Sequence, residues 1–339
     1  MELTEMLRRL TELAGISKDN AKIAQTIQPL LPPGTHPIQL DPLGNLLADI
    51  TPHTEGKPYL LLHAPLAQAE MVVTYIDAAG FIHPAASGSI DSRVLLAQEV
   101  TIHGKRPVSG LIATRPPHLE QEADRKQVPP IENLLIDIGM TKREAETVIA
   151  PGDPITINGE WLQLANHRVS APCLNSHAGV AVLLRTLALL QGKNDRCGLG
   201  ILFSIQKQLH ARGAVTGSFT MNPDLAICID TGCGRTAGIE AHRAGELGKG
   251  SMIGISPVLS RQISSQLQKI AEENHIPYQL DVKGGLTATA ADVIGTSRNG
   301  VQTGLLSVPL LYMHTPVETI DLLDVENTAK LLAAWICSL

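Results

Sequence analysis

Among the side chains of this 339-residue chain that could act as ligands or acid–base groups are three that sit beside apolar runs. His63 closes the run 59–62, Asp230 follows the run 225–229, and His314 comes just after Leu311, Tyr312 and Met313. Imidazole and carboxylate are ligand types that zinc takes readily. His177 and His210 supply two further imidazoles. Each also has a plainer reading. His63 could be a hydrogen-bonded core histidine, Asp230 a cap for the turn Thr231-Gly232-Cys233-Gly234, and His314 a packing partner of Tyr312. His177 and His210 could be solvated loop side chains. Lys207 follows the apolar run 200–205, which should end inside the fold. Its ammonium is therefore expected to be buried or half-buried and paired with Asp230 rather than free in solvent.

The elements that must position these groups fall into two textures. Leu3, Met6, Leu7, Leu10 and Leu13 recur at helical spacing and Gly15 stops that helix. Ser17 caps a second helix carrying Ile23 and Ile27, ended by Pro32 and Pro33. Residues 38–41 and 46–50 read as two strands joined by the tight turn Pro42-Leu43-Gly44-Asn45, and 59–63 as a strand buried on both faces. Between about 67 and 160, short apolar stretches at 71–76, 94–102, 108–113 and 155–157 are broken by Gly and Pro. The one helix expected there starts at Thr141, with Glu144 completing a capping box. Beyond 160, helices (178–190, 260–275, 324–336) alternate with strands (200–205, 225–229, 302–308). That alternation predicts an α/β sheet flanked by helices, formed by 1–66 and 160–339 and interrupted by a β-rich insert at 67–159.

Composition narrows the function classes. The chain is 44% hydrophobic but only 3% aromatic, so its core must be built mainly from Leu, Ile, Val and Ala. A net charge of -6 gives no reason to expect nucleic acid. No run approaches the roughly 18 apolar residues that cross a bilayer, so no membrane association is expected. The first ten residues carry four charges and read as helix rather than as a signal peptide, which makes the cytoplasm the expected location. Five cysteines without a C-x-x-C spacing argue for reduced thiols. Gly232-x-Gly234 lacks the third glycine of a dinucleotide fingerprint. The clusters Lys105-Arg106 and Asp124-Arg125-Lys126 read as solvated loops.

A series of short motifs, in order, carries a family resemblance: Asp41-Pro42-Leu43-Gly44-Asn45, the strand ending at His63, Pro116-Pro117-His118-Leu119, and Ile136-Asp137-Ile138-Gly139. They continue with Pro151-Gly152-Asp153, Arg212-Gly213-Ala214, Pro223-Asp224 with Asp230, and Leu311-Tyr312-Met313-His314 followed by Glu318. With these the chain resembles, nearly end to end, the glutamyl-aminopeptidase and cellulase-like family of dinuclear zinc aminopeptidases, the group that contains the tetrahedral dodecamers. The resemblance implies a central mixed sheet flanked by helices, with the insert forming a barrel-like domain used in self-association. It also implies a peptide-like or small ligand and a homo-oligomer.

In that family two zinc or cobalt ions share a bridging carboxylate and water, and a glutamate takes the water's proton. Carried over position by position, His63, Asp230 and His314 are the residual metal ligands. The bridging-Asp position holds Asn175 and the ligand-Glu position holds Gln208. The general-base position holds Lys207, a donor only. The position of the Asp that orients the first His holds Pro65, which has neither carboxylate nor amide donor. Ala288 stands where an Asp near the substrate amine is usual, and His177 and His210 stand where Arg and Gly are usual. No catalytic residue is therefore assigned, and at most one weakly held divalent ion is expected. The expected function is that of an aminopeptidase relative inactive as a dinuclear enzyme and retaining a binding or scaffold role. The alternative is an active hydrolase with a remodelled mononuclear site on His63, Asp230 and His314, supplemented by His177 or His210.

Overall fold

The computed structural model describes residues 2–12, 20–33, 35–66, 70–113, 128–190, 193 and 196–339. The stop at Gly15, the cap at Ser17, the motif at 116–119 and the charges at 124–126 lie outside them. In chain order the elements are α1 (Leu3–Glu12), α2 (Asn20–Ile27), β1 (Gln39–Leu40), β2 (Leu46–Thr51) and β3 (Tyr59–Pro65). The middle of the chain gives β4 (Glu70–Ile76), β5 (Ile82–Ser87), β6 (Glu99–His103), β7 (Pro107–Ala113), β8 (Leu135–Asp137), α3 (Lys142–Val148) and β9 (Pro154–Ile157). There follow β10 (Leu162–Gln163), β11 (Arg168–Ser170), α4 (Leu174–Leu190), β12 (Gly198–Ser204), α5 (Arg212–Met221) and β13 (Leu225–Cys233). The last are β14 (Ser251–Ile255), α6 (Arg261–Glu273), β15 (Tyr278–Val282), α7 (Ala291–Ile294), β16 (Gln302–Leu310), β17 (Thr319–Asp321) and α8 (Leu322–Ser338).

An eight-stranded mixed sheet in the order β1-β2-β12-β3-β13-β16-β14-β15 is the frame of the molecule. At its centre β12, β3, β13 and β16 run parallel, pairing Leu202 with His63, His63 with Cys228, and Asp230 with Ser307. Alternation along these strands divides their apolar side chains between two cores. Leu60, Leu62, Ala64, Ile201, Phe203, Ile227 and Ile229 join the large core with the apolar faces of α1, α4 and α8. Leu61, Leu202, Ala226 and Cys228 join a second core with Ala214 of α5 and Ala291 of α7. His63, Ser204 and Asp230 share the parity of the second set. Strand register alone thus brings all three to one face at the carboxyl ends of the parallel strands, where open α/β sheets bind their ligands.

The β-rich middle of the chain closes into a six-stranded barrel, β4-β5-β8-β7-β6-β9, around its own core of Met71, Ile82, Val100, Ile136 and Ile155. The α3 capping box is formed as the sequence anticipates, with Glu144 N donating to the Thr141 hydroxyl and Thr141 N to the Glu144 carboxylate. Tyr59, Phe203 and Trp335 are the aromatic side chains buried among the described residues, consistent with the low aromatic content. Several elements extend beyond their sequence-derived bounds. α4 begins at Leu174, so His177 lies in the first turn of a buried helix and not on a solvated loop. β13 runs on to Cys233 because Thr231, Gly232 and Cys233 keep pairing with Val308, Pro309 and Leu310. Asp230 is therefore within a strand and does not cap a turn.

Candidate functional site

The centre of the site is an ion pair. Lys207 Nζ lies 2.5 Å from Asp230 Oδ1, with the aspartate side chain 3% and the lysine side chain 18% exposed. The same carboxylate oxygen accepts from Thr231 N at 2.8 Å. Lys207 reaches this position because the segment after β12 is clamped at both ends. Asn45, fully buried behind the turn between β1 and β2, accepts from Ile205 N at 3.0 Å and donates to Gly213 O at 2.9 Å. Asp41 Oδ1 in turn receives the amides of Leu43, Gly44 and Asn45. The Asp41-to-Asn45 motif is thus a brace for the lysine segment. Gln206 takes a left-handed φ of 55° as the chain leaves the strand.

Around this pair the other sequence-derived positions assemble unevenly. His63 is 1% exposed and its Nε2 lies 2.7 Å from Ser204 Oγ, while Nδ1 has no partner. Burial and then the Lys207 charge push its pKa down to about 3, so the ring is neutral. Pro65 ends β3 opposite Ser204 and offers no group to the site. Asn175 and His177 lie in the first turn of α4, 4% and 3% exposed, with Asn175 Oδ1 and His177 Nδ1 both unpartnered. Burial lowers the His177 pKa to about 4. Gln208 Nε2 is buried and unpartnered, and its side chain sits against Gly88 of the barrel, where an added Cβ would come within 2.8 Å of it. His314, with φ 64°, is half-buried, and its pKa is lowered by burial and by Lys207 against an opposing pull from Asp230. His210 is exposed and takes φ 59°. Ala288 N donates to Asp292 Oδ2 and Thr287 N to Asp292 Oδ1, at 2.9 and 2.8 Å, so this carboxylate is spent on holding the loop backbone.

One carboxylate of this site was legible in the sequence only as a family marker. Glu318 is 1% exposed and bridges two segments, Oε2 accepting from Asn175 N at 2.8 Å and Oε1 from His314 N at 2.7 Å. Burial raises its pKa to about 7, and the amides of Asn175, His314 and Leu174 and the Lys207 charge pull the other way. Its position four residues after His314 was the available signal.

Two divalent ions do not fit these residues. Asp230 is already neutralised by an ammonium at contact distance, Asn175 and Gln208 bring no charge, and Glu318 is turned to backbone amides. Among the described residues no group of three His, Cys, Asp or Glu is arranged to hold a metal ion.

A mixed α/β sheet with its polar cluster at the strand ends is thus interrupted by a six-stranded barrel. The model of the M42 glutamyl aminopeptidase family matches residues 44–331, and the chain belongs to that family. It is 28% identical to a lysyl aminopeptidase of Pyrococcus furiosus over 98% of this chain and 96% of that one. Among solved structures, an aminopeptidase of the archaeon Desulfurococcus kamchatkensis superposes with a TM-score of 0.91 at 27% identity, covering 99% of this chain and 95% of the other. The TET1 peptidase of Pyrococcus horikoshii, which can assemble into a tetrahedron or a large octahedral shell, gives 0.83 at 28% identity, covering 98% of both chains.

Proposed function

We propose that this M42 family member does not carry out two-metal peptide hydrolysis and instead serves as a ligand-binding or scaffold subunit of a homo-oligomer. The observation that carries the reading is the contact between Lys207 Nζ and Asp230 Oδ1. A cation fixed on the one acidic residue among the carried-over ligand positions repels a second, divalent cation. The side chain in the general-base position can give a proton but has no lone pair to take one while protonated. Loss of a general base alone costs about 10²–10⁴ in rate, and loss of the metals removes the activated water as well. Assembly of the Pyrococcus horikoshii relative supports the oligomer, and the separately packed barrel is the part proposed to mediate it.

The test is turnover of amino-acid anilides by the purified protein, with and without added zinc, cobalt or manganese. No turnover above a Lys207→Ala control is expected. Metal-dependent turnover well above that control would overturn the reading in favour of a remodelled hydrolase.

A further inference from the structure

Against the exposed side of α5 lies a cavity of about 590 Å³, a volume in the range of small-molecule sites. None of the positions carried over from the family lines it. Its walls include Pro42 and Leu43 of the β1–β2 turn, Val215 and Phe219 of α5, and Val293 of α7. Val215 and Phe219 stand four residues apart on one helix face and are 45% and 56% exposed. Apolar side chains scattered singly over a surface need no explanation, but a group of them around one cavity marks a place where something binds.

Most of the polar lining is already hydrogen-bonded. The hydroxyls of Thr216, Thr220 and Thr296 donate to the carbonyls of Gly213, Thr216 and Val293. Asp41, the acidic side chain of the lining, has Oδ1 filled by the amides of Leu43, Gly44 and Asn45 and Oδ2 by the Asn45 side chain. Two groups are left, and both can donate. Ser297 Oγ is buried and has no partner. Arg298 carries a permanent charge. Its Nε donates to Phe219 O at 2.7 Å, and its Cζ lies 4.1 Å from the centre of the Phe219 ring. Among the described residues its terminal nitrogens meet no carboxylate or other acceptor. The carbonyl and the ring thus fix a guanidinium beside an apolar cavity and leave its remaining donors unused. A planar fork held in this way is preorganised for a carboxylate. Its backbone φ of 48° is left-handed, a strain that persists where surrounding contacts fix it.

We infer that this cavity binds a small monocarboxylate with an apolar body, its carboxylate on Arg298 and its body against Phe219, Val215 and Leu43. The inference goes beyond the reading above and does not depend on it, since none of these residues belongs to the ion-pair site. The probe is 4-phenylbutyrate, compared with the uncharged 4-phenylbutanamide by titration calorimetry on the full-length protein. The carboxylate should bind about tenfold more tightly, the scale of one charge-assisted hydrogen bond. Arg298→Gln, which keeps a donor and removes the charge, should abolish that preference. Phe219→Ala should weaken both probes. Equal binding of the two by the unaltered protein would leave an unselective apolar groove and overturn the inference, whatever the variants do. A preference that survives in Arg298→Gln would place the carboxylate elsewhere and overturn it too. So would binding of neither probe; a lower subunit number for Phe219→Asp by light scattering would then show that a second copy of the chain covers the groove.

Discussion

Replacing Lys207 by Met keeps the stem that packs beside the strand ends and removes the charge. Asp230, 3% exposed, would then keep only the Thr231 amide at 2.8 Å. Breaking a buried pair from one side costs about 3–5 kcal/mol, because an uncompensated charge is left behind. The lysine side chain is 18% exposed and water reaches one end of the pair, so the lower end, about 3 kcal/mol, is expected. Asp230→Asn should cost less, about 1–2 kcal/mol, since a freed ammonium at that exposure can turn to solvent while an amide still meets Thr231 N. In the double variant neither charge is stranded. Its loss should fall short of the sum of the single losses by about 1–3 kcal/mol, the coupling seen for residues in direct contact. Urea denaturation of the four proteins at one protein concentration gives the cycle. Losses additive to within about 0.5 kcal/mol would show that the two residues do not interact energetically, and would refute the idea that Lys207 stands in for metal charge.

Three further outcomes are expected. Replacing 67–159 by a short linker should leave a soluble species with fewer subunits by light scattering; an unchanged subunit number would show that the barrel does not mediate assembly. Asp324 is buried, accepts the amides of Gly248 and Gly250, and has its pKa raised by burial from 3.8 to about 6. The folded state holds that proton more tightly, so this group's contribution to stability falls as pH rises from about 4 to about 6, by up to about 3 kcal/mol. Urea melts should show the decline weakened in Asp324→Asn, and identical pH profiles would contradict it. Gly250 has φ +90° and an added Cβ would come 1.9 Å from Pro277 O, so Gly250→Ala should cost at least about 2 kcal/mol in the same melts; a neutral effect would contradict the geometry.

Much of the scaffold was legible because it depends on local pattern. Continuous apolar runs marked β3, β12 and β13, the Thr141 and Glu144 spacing marked α3, and Gly and Pro punctuation marked the barrel strands. The proximity of Lys207 and Asp230 was legible too, since both follow apolar strands that end inside the fold. What stayed hidden depends on pairing between distant segments. Ser204 meets His63 only through the parallel register of β12 and β3. Asn45 braces the lysine segment across 160 residues of sequence. Glu318 joins the start of α4 to the His314 turn across 143 residues. The first turn of α4 was missed because Asn175 and Ser176 are weak helix formers, and tertiary burial overrides that preference. Strand β13 was cut short because Gly232 reads as a turn; its lack of a side chain instead admits the Met252 sulfur.

The central claim, that an ammonium occupies the place of metal charge, is tested most directly by counting metal ions. Protein incubated with zinc, cobalt or manganese, freed of excess ion and analysed for its elements should hold well under one ion per chain. Two ions per chain, or one held near stoichiometry, would contradict the account.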